Sequence, residues 1–191
     1  MAFFPHHSFQ FYGLWLLVVL YFVPLLLVVL LRKGVFHKTS SVFSSSRSRM
    51  EYRFFLFSKF FMLAYVLYSF AIPLQPASSL FWAGFSLYTA GFLLYVISWI
   101  QIAASDKNTV FTGGIYRYSR HPVYISSAAV FIGAGLASLS WFYLILSCMV
   151  AGTHLSNALA EERICEEVYG EAYREYKRRT PRWLGRPSVK Q

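Results

Sequence analysis

A polar stretch in the second half of the chain carries many of the residues that could do chemistry. Residues 108–124 read Asn-Thr-Val-Phe-Thr-Gly-Gly-Ile-Tyr-Arg-Tyr-Ser-Arg-His-Pro-Val-Tyr. The Gly113–Gly114 pair permits close approach of backbone to a ligand, and Pro122 is typical of the first turn of a helix, which puts His121 near its cap. A helix amino terminus beside arginine and histidine is a favourable place for a carboxylate. The alternative is an ordinary loop whose cations only set the topology.

Two further polar groups lie at the end of an apolar run and within it. Glu161 and Glu162 follow the run directly, and a carboxylate so close to hydrocarbon is costly unless it is paired, which makes it a functional candidate. The alternative is that both simply begin a surface helix, where the helix dipole favours anions. His154 lies within the run, where it would either hydrogen-bond across helices or line an acceptor pocket; the structural role is favoured.

The composition of the chain is typical of an integral membrane protein. Of its 191 residues 57% are hydrophobic and only 14% are charged, whereas about a quarter are charged in soluble domains. We therefore expect any active site to be built from membrane helices and their loops. The net charge of +10 belongs to cations that flank apolar runs, which favours topology and anionic lipid over nucleic acid as a partner. The two distant cysteines indicate neither a disulfide nor a metal site.

Five apolar runs predict an all-α membrane protein with five transmembrane helices, since each span takes roughly 20 mainly apolar residues. The predicted spans are 11–31, 54–74, 80–104, 122–136 and 141–159. Small residues between the last two spans predict a tight hairpin: Gly133, Gly135, Ser138 and Ser140. The first three spans form an amino-terminal unit, residues 1–104. Residues 105–191 hold the polar loop, the hairpin and a cytoplasmic amphipathic helix, in which Gly170 predicts a bend.

The distribution of cations supports this count and orients it. Apart from Lys59, the basic residues lie in three segments, 32–53, 107–120 and 163–190. Five spans place all three segments on one side of the membrane, which the positive-inside rule makes cytoplasmic. We therefore expect an amino terminus on the outer or lumenal side, a cytoplasmic carboxyl terminus, and candidate catalytic residues at the cytoplasmic face.

Three motifs follow one another in the second half of the chain. They are Gly114-x-Tyr-x-x-x-Arg-His-Pro-x-Tyr124, then Glu161-Glu162, then Tyr169-Gly170-x-x-Tyr173-x-x-Tyr176. Joined at this spacing, they resemble the isoprenylcysteine carboxyl methyltransferase and phospholipid methyltransferase superfamily over roughly residues 108–183. The resemblance implies S-adenosylmethionine as cofactor, bound between the last two spans, the preceding loop and the carboxy-terminal helix.

The resemblance also implies which residues bind that cofactor. They are Asn108, Thr109, Val110, Phe111, Tyr116, His121, Pro122, Val123, Tyr124, Glu161 and Glu162. Arg120 is added to this predicted site because its side chain is a suitable donor to a carboxylate. Arg120, His121 or backbone amides would bind the methionyl carboxylate, and the Glu161-Glu162 pair would accept from the amino group and the ribose. Tyr116 or Tyr124 would face the cationic sulfonium.

The methyl acceptor implied by the resemblance is a lipid or lipidated molecule from the bilayer. Superfamily members that methylate a prenylated cysteine carboxylate resemble one another in placing an arginine shortly before the Glu-Glu pair, whereas residues 154–160 contain none. A phospholipid with an amine headgroup is therefore the favoured acceptor, and prenylcysteine is the alternative. Glu161, His154 or water would accept the proton of an amine. The alternative of another class is a non-catalytic membrane scaffold.

Overall fold

The computed structural model describes residues 13–31, 49–105 and 109–187, apart from the side chains of residues 154–156. Within these ranges the regular structure is helical, as expected for an all-α protein, and one isolated bridge joins Gly13 to Pro73. The α-helices there are α1 Trp15–Leu31, α2 Arg49–Ser69, α3 Ser79–Ala104, α4 Pro122–Ala137, α5 Trp141–Tyr169 and α6 Glu171–Arg179. A short 3₁₀ helix, Gly114–Arg117, precedes α4.

The second helix is displaced along the chain from the predicted span 54–74. Within the described residues it covers Arg49–Ser69. It ends at Ser69 because residues 70–74 form a turn against the start of α1. The backbone amide of Leu14 donates to the carbonyl oxygen of Ile72 at 2.9 Å. Pro73 disfavours a helical conformation at the residue before it. The apolar run therefore continues past the end of the helix into a turn.

The last long helix continues past Leu159, the end of the predicted span, without a break before the tail. α5 continues through the charged residues to Tyr169, because Ala, Glu and Arg are good helix formers and nothing before Gly170 interrupts them. The predicted bend is found at Gly170, whose φ is +56°, a conformation that favours glycine. The separate amphipathic helix is therefore only α6, Glu171–Arg179.

The α4–α5 hairpin is as tight as predicted and forms the centre of the helix packing. Residues 138–140 connect the two helices, and Ser140 caps α5 by accepting from the backbone amide of Tyr143 at 3.3 Å. α4 packs between α3 and α5, and α2 packs on α5. The approach of α3 to α4 is close enough that a Cβ added at Gly133 would lie 2.4 Å from the backbone nitrogen of Tyr88.

Aromatic side chains join the helices around Phe131 of α4. Tyr21 and Tyr95 stack with ring centroids 4.6 Å apart, and so do Tyr65 and Tyr143. Phe131 contacts both pairs, at 4.9 Å from Tyr21 and 5.3 Å from Tyr65. These rings are buried and connect all of the first five helices.

The outer surface of the helices is strongly apolar. Large side chains that are more than half exposed include Leu26, Leu30, Phe60, Leu67 and Leu93. By length and composition α3 and α5 can each cross a membrane, and α1 and α4 are shorter apolar helices. Exposed apolar surface of this extent is unusual for a soluble monomer and is typical of contact with lipid.

Candidate functional site

The α4–α5 hairpin brings the Arg-His-Pro and Glu-Glu motifs together. His121 occupies the N-cap position of α4, while Glu161 and Glu162 lie nearly six turns along the antiparallel α5, level with that position. The Nε2 atom of His121 is 3.1 Å from Oε1 of Glu162, and its Nδ1 atom is 3.7 Å from Oε2 of Glu161. One buried imidazole therefore touches both carboxylates.

Glu162 is buried and is surrounded by cations. Nε and Nη2 of Arg120 donate to its Oε1 atom at 3.1 and 2.8 Å. Nε of Arg182 donates to Oε1 and Nη2 to Oε2, both at 2.9 Å, and Nζ of Lys177 lies 3.8 Å from Oε2. Burial alone would raise the pKa of Glu162, but hydrogen bonds from His121, Arg182 and Arg120 outweigh it and hold that pKa well below its usual range.

Arg120 uses its remaining donors to bind backbone carbonyl oxygens at the end of α6. Its Nη1 atom donates to the carbonyl oxygens of Lys177 at 3.0 Å and Thr180 at 2.6 Å. Its side chain is only 7% exposed. The guanidinium therefore ties the hairpin to the last turn of α6 and to Thr180, which follows it, and all three guanidinium nitrogens of Arg120 are engaged.

Aromatic rings cover the rest of His121. Tyr124 stacks on the imidazole with ring centroids 5.4 Å apart, and Trp183 approaches it at 6.0 Å. In the preceding loop, the rings of Phe111 and Tyr116 meet edge to face at 5.1 Å. Burial raises the pKa of the Tyr116 hydroxyl, so this phenol stays neutral at physiological pH.

Residues predicted at the cofactor site differ in where the structure places them. Arg120, His121, Tyr124, Glu161 and Glu162 form one cluster. Pro122 is buried in the first turn of α4 and Val123 follows it, half-buried.

The residues predicted from the preceding loop lie nearer the surface: Thr109 is exposed, and Val110, Phe111 and Tyr116 are half-buried. Asn108 lies outside the described residues; His154 lies on α5, but its side chain is not among those described.

Three residues that contact this cluster were not singled out from the sequence: Lys177, Arg182 and Trp183. The tail is basic throughout, so nothing local distinguishes Arg182 from the exposed Arg178 or Arg186. One sequence signal did indicate that such residues exist. A carboxylate buried near hydrocarbon, such as that of Glu162, is costly unless cations elsewhere in the chain pair with it.

A sizeable groove lies elsewhere, between α2 and α5. Its volume is about 600 Å³, and apolar side chains such as Phe60, Leu67, Phe142 and Met149 line it. Met149 is 12 residues before Glu161, or about 18 Å along the helix. The groove is therefore separate from the charged cluster.

Comparisons with known proteins agree with the three motifs. The model of the phospholipid methyltransferase family matches residues 77–172, just over half of the chain. A Protein-S-isoprenylcysteine O-methyltransferase from Xenopus laevis is 31% identical over 106 residues, which are 48% of this chain and 31% of that protein. The match thus covers less than a third of that relative's length. No solved structure gives a significant match.

Proposed function

We propose that this chain, which belongs to the phospholipid methyltransferase family, transfers a methyl group from S-adenosylmethionine to a lipid or lipidated acceptor in the membrane. The superfamily expected from the three motifs is the one found by comparison. The observation that carries the proposal is the meeting of His121 with Glu161 and Glu162 at one end of the hairpin. It gathers a carboxylate, an imidazole and aromatic rings around a single point.

The proposed setting is a membrane crossed by five helices, α1 to α5, with the amino terminus outside and the charged cluster at the cytoplasmic face. Two of these helices are long and apolar enough to span, and large apolar side chains cover the outer surface of the helices. The basic tail continues from the charged end of α5. Cations there favour the cytoplasmic side.

The described residues fit a cofactor that carries a carboxylate, an amine and a cationic sulfur. The Glu161 carboxylate is one-third exposed beside the buried His121, so it can accept hydrogen bonds from an amino group or a ribose. The rings of Tyr116 and Tyr124 offer faces for a cation. Bound S-adenosylmethionine would supply an electrophilic methyl group on a sulfonium that is a good leaving group.

The other implied cofactor residues take supporting places in the proposal. Residues 109–111 would form the loop's wall of the site. At the start of α4, Pro122 would orient the backbone amide of Val123 toward the methionyl carboxylate, since the amides of Tyr124 and Ile125 donate to the carbonyl oxygen of His121. The polar atoms of Arg120 and Glu162 are engaged with each other and with neighbouring residues. We therefore assign both residues the role of holding the loop and the tail in place. The protein's main contribution is then alignment and exclusion of water, and alignment alone can lower a barrier by roughly 7–11 kcal/mol.

We favour an amine-headgroup phospholipid as the acceptor. Residues 154–160 supply no arginine for an anionic headgroup, and Arg163 of α5 is engaged by Glu51 at 2.9 Å and by Glu167 at 2.6 Å. An ammonium must lose a proton before it attacks, and Glu161, which is partly open, is the proposed acceptor of that proton, with His154 as the alternative. Similarity to the Xenopus protein, whose name specifies isoprenylcysteine, supports O-methylation of prenylcysteine as the second candidate.

Calorimetry of the detergent-purified chain with S-adenosylmethionine tests the proposed site. We expect binding by the wild type and at least about tenfold weaker binding by Glu161→Gln and by His121→Ala, since each removes a charge-assisted contact. Glu167→Gln is the matched control on the exposed side of the same helix. Retention of full affinity by both site variants would disprove the assignment, and no binding by the wild type would favour the scaffold alternative.

The acceptor is identified by incubating membranes that contain the chain with methyl-labelled cofactor. We expect the label in extracted phospholipid with an amine headgroup. Membranes containing Glu161→Gln provide the background. Label confined to a prenylated peptide would reject the amine preference and establish the second candidate.

A further inference from the structure

The segment after α6, Thr180–Gly185, lies beyond the region matched by the family, which ends at residue 172. We call it the tail segment. It runs beside Tyr118–His121, the last residues before α4. The backbone amide of Arg120 donates to the carbonyl oxygen of Pro181 at 3.0 Å, and the amide of Gly185 donates to that of Tyr118 at 3.0 Å. The two stretches are thus held together along their backbones.

Side chains fix the same contact. The hydroxyl of Ser119 donates to the carbonyl oxygen of Arg182 at 3.2 Å and accepts from the amide of His121 at 3.0 Å. The Arg182 guanidinium reaches both oxygens of Glu162 at 2.9 Å. Such a two-point contact fixes orientation as well as distance. Arg182 therefore joins the tail segment directly to α5, in addition to the contacts that Ser119 and Arg120 make with the backbone of the segment.

The next residue, Trp183, connects the tail segment to the site. Its ring lies 6.0 Å from the ring of His121, on which Tyr124 also stacks. Trp183 is 37% exposed, so its indole ring lies between the His121 cluster and solvent. Displacement of the tail segment would remove this ring and free one side of the imidazole.

We infer that Arg182 is a positioning residue of the cofactor site. By pairing with Glu162, Arg182 holds the tail segment over His121. The inference rests on the proposed function in that His121 is taken to contact the cofactor. Loss of Arg182 leaves Glu162 paired with Arg120 and His121, and the Arg182 side chain is itself 35% exposed. The rest of the fold therefore retains its ion pairs without it.

Cofactor affinity of Arg182→Gln in detergent tests the inference. We expect about tenfold weaker binding of S-adenosylmethionine, consistent with loss of a charged hydrogen-bonded contact, at a melting temperature within a few degrees of the wild type. Arg186→Gln is the matched control, because Arg186 is an exposed cation of the same tail. Arg182→Lys, which keeps the charge without the fork, should restore part of the affinity and serves as the second variant if Arg182→Gln does not fold. Wild-type affinity in Arg182→Gln, or an equal loss in Arg186→Gln, would overturn the inference.

Limited proteolysis tests the holding of the tail segment without any cofactor. Chymotrypsin cleaves after large apolar residues, and Trp183 and Leu184 lie in the segment. We expect about tenfold faster cleavage there in Arg182→Gln than in the wild type, because cleavage follows the population of the opened segment. Equal cleavage rates would overturn the inference even if the wild type binds cofactor. Failure of the wild type to bind cofactor, with faster cleavage in the variant, would instead reject the proposed function and the role of Arg182 in it.

Discussion

Glu161 and Glu162 are adjacent in the sequence but have opposite surroundings. Glu162 is buried among Arg120, Arg182 and His121, whereas the Glu161 side chain is one-third exposed and touches the same imidazole from its other side. Successive residues of a helix point about 100° apart, so Glu162 faces the tail segment while Glu161 is partly exposed to solvent. The first is suited to holding the structure together, and the second to meeting a ligand.

Removal of the Glu162 charge should destabilise the protein strongly. Glu162→Gln leaves Arg120 and its neighbours without their shared carboxylate, and breaking a buried pair typically costs about 3–5 kcal/mol. Thermal unfolding in detergent measures the loss. The matched control is Glu175→Gln, whose partners Arg178 and Arg179 are exposed, so that its loss should hardly change the thermal unfolding. Equal effects of the two substitutions would contradict the central place of Glu162.

The stabilisation by Glu162 should also depend on pH in a defined direction. Because the folded-state pKa is lowered from its ordinary value of 4.5, the contribution is fully present above that value and is lost as the pH falls toward the folded-state pKa. The difference in unfolding free energy between wild type and Glu162→Gln should be constant at neutral pH and shrink in acid. A difference that instead falls between about pH 6 and 8 would point to another titrating group, such as a histidine.

At the scale of elements, the contact between α3 and α4 depends on a missing side chain. Gly133→Ala would place a Cβ 2.4 Å from the backbone nitrogen of Tyr88, so the helices must separate. We expect a loss of about 1–3 kcal/mol in unfolding free energy, the usual cost of overpacking. Gly152→Ala on α5 is the matched control, because its Cβ would meet nothing within 4 Å and alanine favours the helix. Equal stability of the two variants would disprove the close contact.

The elements were largely predictable because apolar runs and small-residue turns are local signals. Pro122 predicted the start of α4, Ser140 belongs to the predicted hairpin turn before α5, and Gly170 is at the predicted bend. The continuity of α5 with the start of the predicted tail helix was not predicted, because the end of an apolar run does not indicate whether helical backbone continues through the charged residues after it. The contact of Arg182 with Glu162 joins positions 20 residues apart, and no periodicity reports such a pair.

At the scale of the whole molecule, the five-span arrangement makes opposite predictions for two exposed positions. Ala77 lies in the turn between α2 and α3, and Arg186 lies after the tail segment. With Cys148 and Cys165 replaced by alanine, Ala77→Cys should react with a membrane-impermeant maleimide on intact cells or sealed vesicles of the same orientation. Arg186→Cys should react only after permeabilisation. Labelling of both before permeabilisation would reject the proposed orientation.

The continuity of α5 gives the membrane a mechanical connection to the site. Its 29 residues make a rod about 44 Å long, with an apolar stretch at one end and Glu161 toward the other. A helix whose apolar length does not match the bilayer responds by tilting, and a straight rod carries that tilt to its far end as a sideways displacement. The loop before α4 is bonded to Glu162 through Arg120 and His121, so the site would move as one with the end of α5, and the thickness of the surrounding lipid would set its depth relative to the membrane surface.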